Sequence, residues 1–151
     1  RHSGTRSAWP RTEARLLGRT SMVPVLAPAL LENGTVLRTP EDIRQFDLLH
    51  EENRSYWSDW FRMAGAPEEN HDRGPVFADG SLVLQAALRG HGAALSDPAF
   101  IEEDLRDGRL VAPFDIRMPC GAYYLVARSF KALPKPAAAL AAWILSRFPS
   151  G

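Results

Sequence analysis

Glu102-Glu103-Asp104-Leu105-Arg106-Asp107-Gly108-Arg109-Leu110-Val111-Ala112-Pro113-Phe114 reads as a charged helix end, a glycine stop and a short strand. After a loop, Ala122-Tyr123-Tyr124-Leu125-Val126 reads as an aromatic-rich strand running on to Arg128. Upstream of this pair the same alternation recurs. Asp97-Pro98 starts the helix that Gly108 ends, with the aspartate as cap and the proline just inside. Before it come a buried-looking strand at Ala93–Leu95, a helix from Ser81 to Arg89 capped by Asp79 and closed by Gly90, and a strand at Gly74–Ala78. Trp57, Trp60, Phe61 and Ala64 recur at three- and four-residue steps after Ser55, which gives one apolar helical face. Phe46–His50 reads as a strand, and Thr39-Pro40-Glu41-Asp42 is a helix start with cap, first-turn proline and acid at the third position.

The N-terminal part is less regular. Ala14–Leu17 and Met22–Leu26 fit two short strands, with Pro24 demoting the second to an edge, bend or crossover. Pro28-Ala29-Leu30-Leu31 suggests a short helical turn. At the other end a helix is expected from Pro136 to about Phe148, with Leu140, Trp143 and Ile144 on one side. Strands alternating with helices in this way predict an α/β layer with a mostly parallel sheet.

Composition narrows the function. The chain has 151 residues, with 18 acidic and 18 basic, so it carries no electrostatic footprint for nucleic acid. No apolar run is long enough to cross a bilayer, and the first residues lack a signal-peptide core. A single cysteine, Cys120, forms no internal disulfide, and a reducing cytoplasm is the simplest compartment. Asn33-Gly34-Thr35 fits a glycosylation sequon but is read as chance.

Enzyme signatures are missing. There is no nucleophile elbow and no phosphate-cradling glycine loop. His2, His50, His71 and His91 are scattered, and His50-Glu51-Glu52 lacks the second histidine that a zinc-protease helix needs, so no metal or other cofactor is expected. Cys120 reads as a tolerated loop thiol, and Glu102, Glu103 and Asp104 as a solvated helix face. Trp57, Trp60 and Phe61 read as core before they read as a pocket lining, and Tyr123 and Tyr124 face opposite sides of a strand.

Ligands of open α/β sheets sit beyond the carboxyl ends of strands, where helix N-termini offer unpaired N–H groups. Three junctions have that form: Phe77-Ala78-Asp79-Gly80-Ser81, Leu95-Ser96-Asp97-Pro98, and the loop Glu51-Glu52-Asn53-Arg54-Ser55. Asp79 and Asp97 read first as helix caps. An N-cap aspartate repels an anion, so Asp79 disfavours acidic ligands or favours an amino group. Ser81 and Ser96 can donate or accept.

The ordered series is where a family emerges. Leu48-Leu49-His50-Glu51-Glu52, Trp57-x-x-Trp60-Phe61, Gly65, Gly74-Pro75-Val76-Phe77-x-Asp79, and Leu84-Gln85-Ala86-Ala87-x-x-Gly90-x-Gly92-x-Ala94-Leu95 come first. Asp104-Leu105-x-x-Gly108-Arg109-Leu110-Val111-x-Pro113-Phe114 and Ala122–Val126 follow. In order and spacing they resemble the effector-binding domain of LysR-type transcriptional regulators, and the subgroup similar to the glycine-cleavage activator most of all.

That resemblance implies a periplasmic-binding-protein-like (type 2) lobe, with a mixed, mostly parallel sheet flanked by helices, as a fragment of a two-lobe domain. It implies that residues 1–22 end a first lobe and cross over, that 23–114 form the second lobe, and that 115–151 supply a return strand and a helix packing toward the first lobe. The helix-turn-helix and most of the first lobe are expected to lie outside this sequence. The implied function is sensing of a small metabolite, without catalysis, by Arg1, His50, Glu51, Asp79, Ser81, Ser96 and Asp97. DNA would be reached only through the missing module, in a cytoplasmic homodimer or homotetramer with no membrane partner. The Ser81–Arg89 helix is the implied pairing surface. Two rivals share the architecture: a solute-binding transport lobe, and an enzyme using Asp79 or Glu51. Without the rest of the first lobe, the apolar stripe on Leu140, Trp143, Ile144 and Phe148 is expected to leave the chain marginally stable or self-associating.

Overall fold

The computed structural model describes residues 11–67 and 74–147. Five strands and four α-helices are present among them: β1 (Glu13–Val25), β2 (His50–Glu51), α1 (Tyr56–Met63), β3 (Val76–Phe77), α2 (Gly80–Leu88), β4 (Ala94–Ser96), α3 (Glu102–Arg106), β5 (Met118–Ala127) and α4 (Lys135–Arg147). Two compact units emerge. Ser21–Met118 form the larger, and the flanking segments, through Thr20 and from Pro119, form the smaller.

In the larger unit β2 pairs with β3 and β4 with β1, and isolated bridges at Leu48–Ala93 and Leu26–Val111 connect these ladders and extend them. β2 and β3 are parallel, with His50 opposite Val76 and Glu51 opposite Phe77. A parallel bridge joins Leu48 to Ala93, where the Leu49 N–H donates to the Ala93 carbonyl at 2.8 Å and the Ala93 N–H to the Asp47 carbonyl at 2.9 Å. β4 and β1 are antiparallel in the register Val23–Ser96, Pro24–Leu95 and Val25–Ala94. The sheet is therefore mixed, and less parallel than the alternation of elements suggests.

Successive side chains of these strands enter opposite cores, as the two-residue strand period requires. Val23, Val25, Leu49 and Ala94 pack with Val83, Ala86 and Ala87 of α2 and with Ile101 and Leu110. Leu26, Leu48, Ala93 and Leu95 pack on the other side with Ile43, with Trp57, Trp60 and Phe61 of α1, and with Met118. Helices thus cover both faces of a short sheet. α1 is tied down twice: the Trp57 indole N–H donates to the Leu49 carbonyl at 3.1 Å, and the Trp60 indole N–H to the Ile116 carbonyl at 2.9 Å.

Several elements differ from their sequence reading. Ala14–Leu17 and Met22–Leu26 belong to one continuous strand, β1. Pro24 lies inside it and is buried. N–H groups alternate sides along a strand. The Leu26 N–H donates to the Val111 carbonyl at 3.1 Å, so the Pro24 nitrogen faces that same side and the β4 ladder loses nothing. The Thr39-Pro40 start opens a 3-10 helix, Pro40–Gln45, rather than an α-helix. Its entry is fixed by Asp42, whose carboxylate accepts the Thr39 and Arg38 N–H groups at 2.9 and 2.7 Å and is thereby held below the usual aspartate range. The helix expected from Asp97 is split into a 3-10 turn, Pro98–Phe100, and α3, because Ile101 leaves helical geometry to enter the core. Arg109–Val111 makes only one bridge. The Arg109 and Leu110 N–H groups are already committed to the Asp104 carbonyl at 2.9 and 3.2 Å.

In the smaller unit β1 neighbours β5. The Glu13 carboxylate accepts the Phe130 N–H at 2.7 Å, and the Arg15 guanidinium lies 4.5 Å from the Phe130 ring centroid. Leu140 and Trp143 of α4 are each 58% exposed, while Ile144 is half-buried; Phe148 lies outside the described residues.

Gly74 leads into β3 with φ +113°, and a Cβ there would collide with the Leu48 backbone carbonyl. Both the left-handed backbone and the close approach demand glycine. Gly74→Ala is expected to lower unfolding free energy by about 2–4 kcal/mol in urea titrations, from strain together with displacement of the β3 edge. An unchanged midpoint would show that the β2–β3 junction tolerates a side chain.

Candidate functional site

Because β2, β3 and β4 run in the same direction, their carboxyl ends meet one rim of the larger unit. β1 is antiparallel to β4, so its Ser21–Met22 segment, just before the paired residues, arrives at the same rim. Two helical N-termini also open there, since α2 follows β3 and the 3-10 turn follows β4. This is the place where open α/β sheets bind ligands.

The rim is concave. A recess of about 50 Å³ is lined by Met22, Leu49, His50, Glu51, Arg54, Tyr56, Trp57, Gly80, Val83 and Leu95. An adjoining basin of about 510 Å³ shares His50, Glu51 and Arg54 with it and adds Asn53, Ser55 and Val76. The floor is apolar and belongs to both cores; the walls carry the charge. The chain turns at the mouth through Asn53, whose φ of +62° suits an asparagine, and the Arg54 N–H donates to the Glu51 carbonyl at 3.1 Å. β3 is held beside β2 by the His50 N–H on the Pro75 carbonyl at 3.0 Å and the Glu52 N–H on the Phe77 carbonyl at 2.7 Å.

The residues singled out from sequence occupy this rim in different ways. His50 and Glu51 line both recess and basin. The Glu51 carboxylate reaches across to the first turn of α2, with Oε2 3.5 Å from where a Cβ of Gly80 would stand. Asp79 caps α2, accepting the Leu82 N–H at 3.1 Å, and Ser81 is exposed in the first turn. Neither lines the recess, although Gly80 between them does. Ser96 is held in the ladder opposite Val23. Asp97 accepts the Ala99 N–H at 2.9 Å and the Ser21 N–H at 3.2 Å, so it caps the 3-10 turn and ties β1 to β4. Arg1 lies outside the described residues.

Trp57, Trp60 and Phe61 are all core residues, at 2%, 0% and 1% exposure, yet Trp57 also forms a wall of the recess. Met22 and Tyr56 line it too, without having been singled out. Tyr56 sits in sequence between the rim loop and the tryptophan helix, which is a usable signal. Met22 had none, because only the β1–β4 register brings it to the rim. The acidic run 102–104 has a structural role: Arg109 Nε meets the Asp104 carboxylate at 2.7 Å, and this bond raises the guanidinium pKa above its ordinary value. Among the described residues no group of three or more histidine, cysteine or acidic side chains is placed to hold a metal ion.

The profile of the family described as LysR substrate binding domain matches residues 3–149. The chain is 36% identical over 143 residues to the glycine cleavage system transcriptional activator of Escherichia coli K12, which covers 94% of this chain and 47% of that protein. It is 33% identical over 117 residues to the HTH-type transcriptional activator AmpR of Rhodobacter capsulatus, covering 78% of this chain and 39% of that one. Among solved structures, the AmpR effector binding domain from Citrobacter freundii superposes with a TM-score of 0.77 at 27% identity, covering 93% of this chain and 70% of the other. The chain spans about half or less of the length of the curated relatives it matches.

Trp57→Phe keeps an aromatic side chain but removes the indole N–H donor to the Leu49 carbonyl together with part of the buried ring. The expected cost is about 2–4 kcal/mol, because a buried carbonyl is left unpaired and a small cavity opens. It is read from urea midpoints, with Trp60→Phe as a second, independent case at Ile116. No loss in either variant would remove the indole bonds as the supports of the rim.

Proposed function

We propose a sensing role on one premise: this chain belongs to the LysR substrate-binding-domain family. It is the ligand-sensing part of a regulator of transcription and carries out no catalysis. The single observation that supports the reading is the rim itself, where residues at the carboxyl ends of β2 and β4 and the opening of α2 line one recess with an apolar floor and charged walls. Such a site binds and orients a small molecule. The names of the relatives, both transcriptional activators, support regulation over transport.

In this proposal His50 and Glu51 contact the metabolite directly. Asp79, Ser81, Ser96 and Asp97 supply or shape the neighbouring rim, and Arg1 is a further effector contact. Residues 23–114 act as one lobe of a two-lobe domain, with 1–22 and 115–151 belonging to the other. The metabolite has unequal affinity for two arrangements of the lobes, and that inequality is what shifts the regulator. A DNA-binding module supplied by the whole protein reads out the shift. The regulator is a cytoplasmic homo-oligomer.

A thermal-shift screen of the chain against amines, amino acids, carboxylates and sugars tests this. A ligand of the rim at a hundredfold excess over its Kd is expected to raise Tm by about 5–10 °C. The double variant His50→Ala with Glu51→Gln is expected to lose the shift. Silence across the panel, or a shift that survives the double variant, would contradict sensing at this rim.

A further inference from the structure

The wall charges of the recess are arranged unequally. Among the described residues Glu51 is the one carboxylate lining either the recess or the basin, and it lines both. Its Oε2 stands 3.5 Å from the Cβ position of Gly80, at the opening of α2. A helix N-terminus is normally where an anionic ligand docks. Here the protein has put its own anion beside that position, and the α2 cap adds a second carboxylate, Asp79. An incoming carboxylate or phosphate would meet the Glu51 carboxylate at this helix opening, with the Asp79 charge on the cap next to it.

A cation meets the opposite situation. Among the described residues, no ion pair or side-chain hydrogen bond engages Glu51. Arg54 lines both recess and basin, but it is exposed and its guanidinium stands over the Tyr56 ring, 5.9 Å from the centroid, without an ion pair to Glu51. The recess, at about 50 Å³, admits one small head group, and the basin of about 510 Å³ accommodates the body attached to it. Trp57 and Tyr56 border the recess with aromatic surface, which suits a cation and its adjoining methylenes.

We infer that the rim selects a small molecule bearing an ammonium group, with that group in the recess against the Glu51 carboxylate and the rest of the molecule in the basin beside Val76 and Asn53. The inference rests on the sensing site proposed above and specifies its ligand class. Glu51 is the selecting residue, Trp57 the wall that reports occupancy, and Asp79 the charge that reinforces the preference.

The test uses simple probes of matched length: n-butylammonium, n-butanol and n-butyrate, titrated at millimolar concentrations into the 15N-labelled chain. The Trp57 indole N–H resonance is followed, since its proton is pinned on Leu49 at the recess. Butylammonium is expected to saturate the shift with at least tenfold higher affinity than butanol, and butyrate to bind more weakly still. Glu51→Gln is expected to lose at least tenfold in butylammonium affinity, and Glu51→Asp, which keeps the charge but withdraws it, to lose less. Glu52→Gln, one residue on and outside the recess, is expected to leave it unchanged. Butyrate binding as well as butylammonium, undiminished binding by folded Glu51→Gln, or no saturable binding of butylammonium would each overturn the ammonium assignment. The metabolite screen separates the two readings: a stabilising carboxylate or sugar dependent on the rim would sink the ammonium assignment and leave sensing standing.

Discussion

A buried carbonyl must find a donor, and Leu49 finds the indole N–H of Trp57. The geometry of the rim depends on that bond. Leu49 precedes His50 and Glu51, and its own N–H is already spent on the Ala93 carbonyl of the neighbouring chain segment. With the N–H drawn toward Ala93 and the C=O drawn toward α1, the backbone has little freedom left when it reaches the two recess-lining residues. β2 is only two residues long, so cooperativity within the strand could not supply the same precision. Rigidity comes from α1, whose tryptophans and Phe61 stack with centroids 5.3–6.0 Å apart, two of the three pairs edge-to-face, and are buried almost completely. The second indole, on Ile116, fixes the far side of the helix. One helix thereby converts core packing into the position of two charged side chains.

Much of this was legible in the sequence, and the parts that were not have physical reasons. The helical spacing of Trp57, Trp60 and Phe61 identified α1 and its buried face because side-chain period and burial coincide there. Asp79 and Asp97 were legible as caps because a short acidic side chain before a helical start has one dominant use. The continuity of β1 was hidden by Pro24, whose cost depends on which neighbour its nitrogen faces, and that is a property of register. The 3-10 character of Pro40–Gln45 was hidden because capping signals mark where a helix begins without specifying its pitch. The failure of Arg109–Val111 to form a full strand came from competition: closing α3 used two of the N–H groups the strand needed.

The site divides along the same line. The rim loop 51–55 and the α2 opening could be named because strand-end and helix-start signals are local. That they surround one recess follows from parallel pairing of β2 with β3 and with Ala93, which is tertiary. Ser96 and Asp97 show the limit of local signals. They stand on the same rim, but the ladder and two backbone N–H groups occupy them structurally. Glu51 differs because it is held by its backbone and left with its carboxylate facing the recess.

The chain belongs to the LysR substrate-binding family, and the proposal places ligand recognition at the rim. Hydrogen–deuterium exchange of the chain, with and without a metabolite that raises its Tm, tests that claim most directly. Protection is expected to concentrate at residues 50–57 and 80–83, where the recess is built. Protection confined to residues outside them, with these amides unchanged, would contradict the account.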